Sequence, residues 1–258
     1  MADEVLYERL GDNIALVTLN RPEKRNAVNP ALAAGLGAAV KRAEADPQVR
    51  VVILTSSNDK TFCAGADLAA VAAGDGPKLS TPDGGFAGFV NVARRKPWIA
   101  AVRGSAVAGG CELCLACDMI IAGDDAQFGL PEPKRGLVAG AGGVTRLPRA
   151  IPRHIANEMV ATGDPIDVHR AYALGLVNKV VPVDQILAAA RELAERIAQN
   201  APIAVQESLS LARIAPFLTE MEAREANQAA LDRIRGTEDF KEGPRAFVEK
   251  RAPVWTGR

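Results

Sequence analysis

Residues 98–113, WIAAVRGSAVAGGCEL, carry the clearest signal of the fold. The run Trp98–Val102 is apolar throughout, as expected of a parallel strand that is buried on both faces. It is followed by a bend of small residues, Gly104–Gly110, and then by Glu112 in the first turn of a predicted helix. Strand, small-residue bend and helix in this order predict an α/β fold with parallel strands and crossover helices.

Two further apolar runs repeat the pattern on either side. Residues 51–54 and 119–122 are predicted strands, and each precedes a bend of small residues, at 62–67 and 128–132 respectively. Before them, residues 5–8 and 14–19 flank a Gly-Asp-Asn turn and predict a β-hairpin. Helical spacing of apolar residues after an Asn-Pro pair predicts a helix over 30–45.

The C-terminal third is predicted to be mostly helical, because long Ala/Leu/Arg/Glu stretches dominate it. Besides one strand at 177–181, the predicted helices cover 184–200, 203–213, 217–235 and 237–250. We therefore divide the chain into a core of residues 1–197 and a helical oligomerisation region of residues 198–258. Residues 72–85 are rich in glycine and proline and are predicted to form a mobile surface loop.

Composition argues against several functional classes. The 258 residues carry 31 basic and 31 acidic side chains, so no net charge favours nucleic acid or an anionic membrane. The acidic N-terminus lacks the pattern of a signal peptide, and no window approaches about 18 apolar residues. We expect a cytoplasmic protein whose four cysteines are reduced, with no membrane or nucleic-acid partner.

Common catalytic and metal-binding patterns are missing from the sequence. The two histidines, His154 and His169, are predicted to lie on helix surfaces and are not part of a nucleophile motif. Cys111, Cys114 and Cys117 recur every third residue, which suits a packed helix face better than a cluster of metal ligands. The glycines at 140–143 match neither a phosphate-binding loop nor a dinucleotide-binding motif. We expect no metal site.

Two carboxylates remain as candidates for chemistry. Glu112 and Glu132 are both predicted to follow the carboxyl end of a strand, where sites in parallel sheets gather. Two carboxylates that face one water can divide acid and base roles if burial raises the pKa of one of them. Exposed N–H groups of Ala66 and Gly109, in the same bends, could form an oxyanion hole. Each feature could also be an ordinary solvated loop or tight turn.

Together the motifs resemble those of the enoyl-CoA hydratase/isomerase (crotonase) superfamily. The resemblance rests on the stretches 19–22, 26–27, 62–68, 108–113, 126–132, 140–147, 162–163 and 175–177, and it spans nearly the whole chain. It implies a crotonase-like spiral of ββα repeats, the fold shared with ClpP, with a C-terminal helical trimerisation region. It also implies an acyl-CoA thioester substrate and a homotrimer or a hexamer built as a dimer of trimers. No cofactor is implied, because coenzyme A is part of the substrate.

The resemblance also assigns roles by position. Ala66 and Gly109 match the oxyanion hole, and Glu112 and Glu132 match the two catalytic glutamates of the hydratase branch. In that branch, the residue at Glu112 deprotonates the water that attacks C3, and the residue at Glu132 exchanges the proton at C2. The positions implied to bind coenzyme A or the acyl group are Lys24, Arg25, Ala27, Ala64, Asp67, Leu68, Gly110, Pro131, Phe247 and Lys250.

The sequence therefore predicts an enoyl-CoA hydratase, and two alternatives stay open. The stretch 130–135, LPEPKR, departs from well-known short-chain hydratases and resembles the carnitinyl-CoA dehydratases of the same family. An isomerase or a carnitinyl-type dehydratase would use the same enolate chemistry. A non-catalytic acyl-CoA-binding or RNA-binding protein is the alternative from another class, although Lys41 and Arg42 alone give helix 30–45 little basic surface.

Overall fold

The computed structural model describes residues 3–258. Its strands are β1 (Val5–Leu10), β2 (Ile14–Leu19), β3 (Val51–Ser56), β4 (Thr61–Cys63), β5 (Ser80–Thr81), β6 (Gly85–Phe86), β7 (Trp98–Val102), β8 (Ser105–Val107), β9 (Met119–Gly123), β10 (Gln127–Gly129), β11 (Ile166–Asp167) and β12 (Lys179–Val181). Its helices are α1 (Pro30–Ala45), α2 (Leu68–Ala70), α3 (Gly109–Ala116), α4 (Gly143–Ala150), α5 (Arg153–Thr162), α6 (Val168–Ala173), α7 (Ile186–Ala198), α8 (Pro202–Ile214), α9 (Glu220–Arg235) and α10 (Glu238–Val248).

A six-stranded sheet forms the centre of the molecule, in the order β1-β2-β3-β7-β9-β12. The hairpin β1-β2 is antiparallel, and the remaining neighbours pair in parallel. Side chains of β3 alternate between two cores: Val52 and Leu54 pack into the larger one, whereas Val51 and Ile53 pack on the side covered by α7. Burial on both faces explains why the inner strands are continuous apolar runs, and it confirms the predicted parallel strands.

A second sheet has the order β11-β10-β8-β4, and three of its strands, β4, β8 and β10, fall at the segments predicted as small-residue bends. Strands β4, β8 and β10 pair in parallel, and β11 closes the edge in the antiparallel sense. The bends are therefore short strands followed by turns. Strands of three residues are too short to leave a readable periodicity, which is why the sequence does not predict them.

Three inner strands of the large sheet, β3, β7 and β9, are each followed by one strand of the small sheet and then by a helix. The repeats are β3-β4-α2, β7-β8-α3 and β9-β10, the last leading through a 3₁₀ turn to α4. This succession confirms the predicted spiral of ββα repeats and the α/β class. It also brings the ends of β4, β8 and β10 side by side, so that the segments that follow them meet in one place.

The C-terminal region is helical, as predicted, and the largest error in a predicted helix boundary is at the start of α9. Helix α9 begins at Glu220, not at residue 217, because Thr219 caps it through a reciprocal capping box with Glu222. Residues Ala215–Phe217 form a separate 3₁₀ turn. The division of the chain after residue 197 stays a prediction.

The stretch predicted as a mobile surface loop, residues 72–85, has regular structure. A π-helical turn at Val71–Asp75 leads into a 3₁₀ turn at Gly76–Leu79 and then into the hairpin β5-β6. Leu79 is buried in the larger core and anchors the segment. Its glycines lie in turns. A high glycine and proline content does not distinguish such turns from an irregular loop. The mobility of this segment stays a prediction.

Candidate active site

A cavity of about 610 Å³ opens between the ends of the short strands. It is lined by the following residues: Arg25, Ala64, Ala66, Leu68, Ser80, Gly85, Phe86, Asn91, Val107, Ala108, Gly109, Glu112, Pro131, Glu132, Arg135, Leu137, Val138, Gly140 and Ala141. All four residues predicted to carry the chemistry are among them. The predicted carboxylates and backbone donors therefore share one cavity.

Glu112 is held in the first turn of α3, where it is only 3% exposed. The Gly143 N–H at the start of α4 donates a 2.8 Å hydrogen bond to Glu112 Oε1. Burial raises the pKa of Glu112 to about 7, against the opposing effect of this hydrogen bond. The charge of Glu132 contributes to the same rise, which reflects how near the two carboxyl groups lie. Glu112 can therefore gain or lose a proton near neutral pH.

Glu132 begins the 3₁₀ turn Glu132–Arg135 and is 8% exposed. Its Oε2 atom is buried and has no hydrogen-bond partner within residues 3–258. Burial raises the pKa of Glu132, and the nearby charge of Arg135 partly opposes that rise. An unpartnered carboxyl oxygen that faces a cavity favours the protonated form, so this side chain is suited to deliver a proton.

Backbone donors line the cavity opposite the glutamates. Val28 pairs with the backbone on both sides of Ala66: its N–H donates to the Gly65 oxygen at 2.7 Å, and its oxygen accepts from the Asp67 N–H at 2.9 Å. This pairing leaves the Ala66 N–H directed away from Val28. Gly109 is the first residue of α3, where an N–H has no acceptor within the helix. Within the described chain, neither the Ala66 N–H nor the Gly109 N–H donates to an acceptor. Both are available for an external oxygen.

Close backbone packing brings these two donors together. Gly65 adopts φ +90°, and a Cβ placed on it would lie 3.0 Å from the Gly109 nitrogen and 2.7 Å from the Ala108 Cβ. Ala108 itself has φ 52°, a left-handed conformation rare for alanine. Only glycine at 65 allows the β4 and β8 turns to approach this closely. In the sequence, the contact is marked only by small residues in both bends, Gly65-Ala66 and Ala108-Gly109.

Several residues assigned by resemblance are placed elsewhere. Arg25, Ala64, Leu68 and Pro131 line the cavity, but the other six assigned residues do not: Lys24, Ala27, Asp67, Gly110, Phe247 and Lys250.

Two of those six have structural contacts instead. The Asp67 carboxylate accepts a 2.6 Å hydrogen bond from Arg21 and caps α2, and these contacts lower its pKa. Gly110 packs so tightly that a Cβ on it would lie 2.0 Å from the Cys63 oxygen. Phe247, on α10, is 85% exposed and does not line the cavity of its own chain.

Other lining residues were missed as site residues. Phe86 lies in the stretch predicted as a loop, and its ring is so close to Gly109 that a Cβ there would be 2.4 Å from Phe86 Cε1. Asn91 and Arg135 also line the cavity, together with the apolar pair Leu137 and Val138. The only signal in the sequence was their position: Phe86 and Asn91 lie in the segment before β7, and the other three follow Glu132 within six residues.

Neither the histidines nor the cysteines join the site. His154 and His169 are exposed on α5 and α6, as predicted. Cys111 and Cys114 pack in the larger core, where burial raises the pKa of each thiol. Within residues 3–258, no group of three or more His, Cys, Asp or Glu side chains is arranged to hold a metal ion.

Comparison with known proteins gives a consistent result. The sequence model of the family described as "Enoyl-CoA hydratase/isomerase" matches residues 9–258. A carnitinyl-CoA dehydratase of Proteus mirabilis is 41% identical over 247 residues, 94% of each chain. The crystal structure of an enoyl-CoA hydratase from Mycobacterium tuberculosis H37Rv superimposes with a TM-score of 0.95 at 42% identity, and that of a carnitinyl-CoA hydratase from Mycobacterium avium with 0.77 at 44% identity. Both cover all of each chain.

Proposed function

The chain belongs to the enoyl-CoA hydratase/isomerase family, and on this basis we propose that it is a hydro-lyase that adds water reversibly across the 2,3 double bond of a 2-enoyl-CoA thioester. One observation carries the proposal: two buried carboxyl groups and two unpaired backbone N–H groups line the same cavity. Relatives named as hydratases and dehydratases support the same reaction type.

The thioester carbonyl oxygen would accept hydrogen bonds from the N–H groups of Ala66 and Gly109. When water attacks C3, negative charge moves onto this oxygen as an enolate forms. Donors fixed before the reaction stabilise that charge most when it is fully developed, and each is worth about 3 to 4 kcal/mol in other enzymes. The tight packing of Gly65 against Gly109 holds both donors in place.

The two glutamates would divide the proton transfers. Ionised Glu112 accepts a proton from water as the water oxygen bonds to C3, and protonated Glu132 gives a proton to C2 as the enolate collapses. After one turnover Glu112 is protonated and Glu132 is ionised. Proton exchange with solvent returns both groups to their starting states. Burial raises the pKa of both groups, so each changes its protonation state closer to neutral pH than an exposed glutamate does. No cofactor is needed beyond the coenzyme A of the substrate.

Coenzyme A would enter along the Arg25 and Ala64 side of the cavity. Ala64 N–H donates to the Arg25 oxygen at 3.1 Å, so the two segments form one wall. Arg25 is exposed and can meet the phosphates, while Leu68 offers an apolar contact. Lys24 neighbours Arg25 and is exposed, but it does not reach the cavity lining.

A spectroscopic assay tests the reaction. Loss of the conjugated enoyl thioester absorbance across a panel of chain lengths would support hydration, and isomerase substrates run in parallel would identify a double-bond isomerase. Turnover of carnitinyl-CoA would favour the carnitinyl-type dehydratase, which the names of several relatives suggest. Tight, salt-sensitive RNA binding in a gel shift, with no turnover, would support the non-catalytic alternative.

We also propose assembly into a homotrimer or a hexamer. The C-terminal helices expose large apolar side chains, which in the isolated chain face solvent: Phe217, Met221, Phe240, Phe247 and Val248. A second copy that covers this surface would also explain why Phe247 and Lys250 lie away from the cavity of their own chain. Light scattering after size exclusion would measure the mass. No helix among the described residues is long and apolar enough to cross a membrane, and a cytoplasmic location stays a prediction.

A further inference from the structure

Arg135 projects from the same side of its turn as Glu132. Residues Glu132–Arg135 form a 3₁₀ helix, in which side chains at i and i+3 eclipse one another. Gly136 ends the turn in a left-handed conformation, φ +67°, and so fixes where Arg135 leaves the backbone. Both Glu132 and Arg135 line the cavity. Their separation along the helix axis is about 6 Å, from three residues at roughly 2 Å each.

The charge of Arg135 has no carboxylate partner in the described chain. No Asp or Glu oxygen lies within 4.0 Å of its guanidinium, whereas the adjacent Lys134 is paired with Asp164. Arg135 is exposed and lines the cavity, and its charge lies near enough to Glu132 to oppose the rise in the pKa of that carboxyl group. An arginine that is unpaired, cavity-facing and three residues from a reacting carboxyl group is available to a ligand.

The rest of the lining favours an anion over a cation in this part of the cavity. The acidic side chains among the lining residues are Glu112 and Glu132, both already assigned to proton transfer. Phe86 is the sole aromatic ring of the lining, so a quaternary ammonium group would find no aromatic cage. Leu137 and Val138 supply an apolar wall for methylene groups. The other basic lining residue, Arg25, lies on the Ala64 side, where coenzyme A is proposed to enter.

We propose that Arg135 recognises a carboxylate carried by the acyl group, a short distance beyond the 2,3 double bond, so that the preferred substrates are short dicarboxylic 2-enoyl-CoA thioesters. This inference rests on the proposed hydratase function and narrows its substrate class. A guanidinium can bind a carboxylate through two parallel hydrogen bonds. The same charge repels a trimethylammonium group, which sets this chain apart from an enzyme for carnitinyl thioesters.

The test compares three 2-enoyl-CoA thioesters of equal chain length that end in a methyl, a carboxylate or a trimethylammonium group. For the wild-type protein we expect kcat/KM to be highest for the carboxylate and lowest for the trimethylammonium substrate. Arg135→Leu should lower the carboxylate-to-methyl ratio of kcat/KM at least tenfold, and Arg135→Lys should lower it less. Lys134→Leu removes a neighbouring positive charge that does not line this cavity and should leave the ratio unchanged.

The outcomes separate this inference from the function on which it rests. If the wild type hydrates the methyl substrate but shows no carboxylate preference, or if Arg135→Leu leaves the ratio unchanged, the role of Arg135 is wrong and the hydratase stands. If no enoyl thioester is hydrated, the proposed function fails. Calorimetry then measures the affinities of wild type and Arg135→Leu for saturated methyl and carboxylate thioesters, which tests carboxylate recognition without turnover. If wild type binds the two thioesters equally well, the role of Arg135 is wrong.

Discussion

Gly65 packs directly against Gly109: a Cβ on Gly65 would lie 3.0 Å from the Gly109 nitrogen, and a Cβ on Gly109 would lie 3.2 Å from the Gly65 Cα. The two glycines come from consecutive ββα repeats. Gly65 directly precedes the proposed oxyanion donor Ala66, and the Gly109 N–H is the second proposed donor. A Cβ on Gly65 would meet the Gly109 backbone and the Ala108 Cβ, and neither can move away by a side-chain rotation, so no side-chain rearrangement can relieve a substitution at Gly65. The spacing of the two N–H groups therefore depends on this pair.

Gly65→Ala should disable the oxyanion hole. The added methyl group would collide with Ala108 and Gly109, and loss of one donor typically costs about 10²- to 10³-fold in kcat. Gly74→Ala is the matched control, since Gly74 has nearly the same φ, +88°, and no atom lies within 4 Å of where its added methyl group would be. Steady-state kinetics on folded variants checks this. Comparable kcat values for the two variants would contradict the packing argument.

Glu132→Gln should abolish hydration with little loss of affinity for a CoA thioester. The amide keeps the size of the side chain but cannot give a proton to C2. Turnover and calorimetric binding of a saturated thioester measure the two effects separately. Near-normal turnover would refute the role of Glu132.

Glu112→Gln should also abolish hydration, yet stabilise the fold at pH 8. The folded pKa of Glu112, about 7, exceeds its ordinary value of 4.5, so the folded state binds more protons between these values and stability falls as pH rises through them. A neutral amide avoids this cost, which is at most about 3 kcal/mol at pH 8. Urea unfolding at pH 8 and pH 4.5 measures it, and the gain should nearly vanish at pH 4.5. An equal gain at both pH values would show another cause.

The pH profile of kcat/KM should fall on the acid side below about pH 7. Glu112 must be ionised to accept a proton from water, and burial raises its pKa to about 7. Glu132 must be protonated to give a proton to C2. Its raised pKa keeps it protonated to higher pH than an exposed glutamate, and activity should decline again as the pH rises through that pKa. The two apparent values belong to the coupled pair. A profile that stays flat from pH 5 to 7 would contradict the assignment of the base.

Arg146 positions the loop that holds Glu112. Its guanidinium donates to the Ala141 oxygen at 2.9 Å and to the Val90 oxygen at 2.6 Å, and its charge lowers the pKa of Glu112. Arg146→Gln should lower kcat by about tenfold, the lower end of the effect expected of a misplaced catalytic group. Removing the cation should also move the acid limb of the pH profile to higher pH.

Arg149→Gln is the control for Arg146→Gln, because Arg149 stacks on Phe217 outside the cavity. An unshifted acid limb in Arg146→Gln would argue against the positioning role.

Local patterns in the chain were enough to predict the large sheet, the first helix, most of the C-terminal helices and the two glutamates. Buried parallel strands and amphipathic helices leave strong periodic signals, as at Trp98–Val102 and Pro30–Ala45. Glu112 and Glu132 could be singled out because each follows such a strand after a bend of small residues. The capping box at Thr219 is also readable in the sequence, although the predicted helix started two residues before it.

Which residues meet in space depends instead on long-range packing. The second sheet is built from three-residue strands, whose pairing with strands far away in the chain leaves no local signal. Phe86 and Asn91 enter the cavity through packing between distant segments. Long-range packing also gives Gly110 its close approach to Cys63 and Asp67 its contact with Arg21. The raised pKa of Glu112 likewise has no local cause, because it comes from the burial that the folded chain imposes.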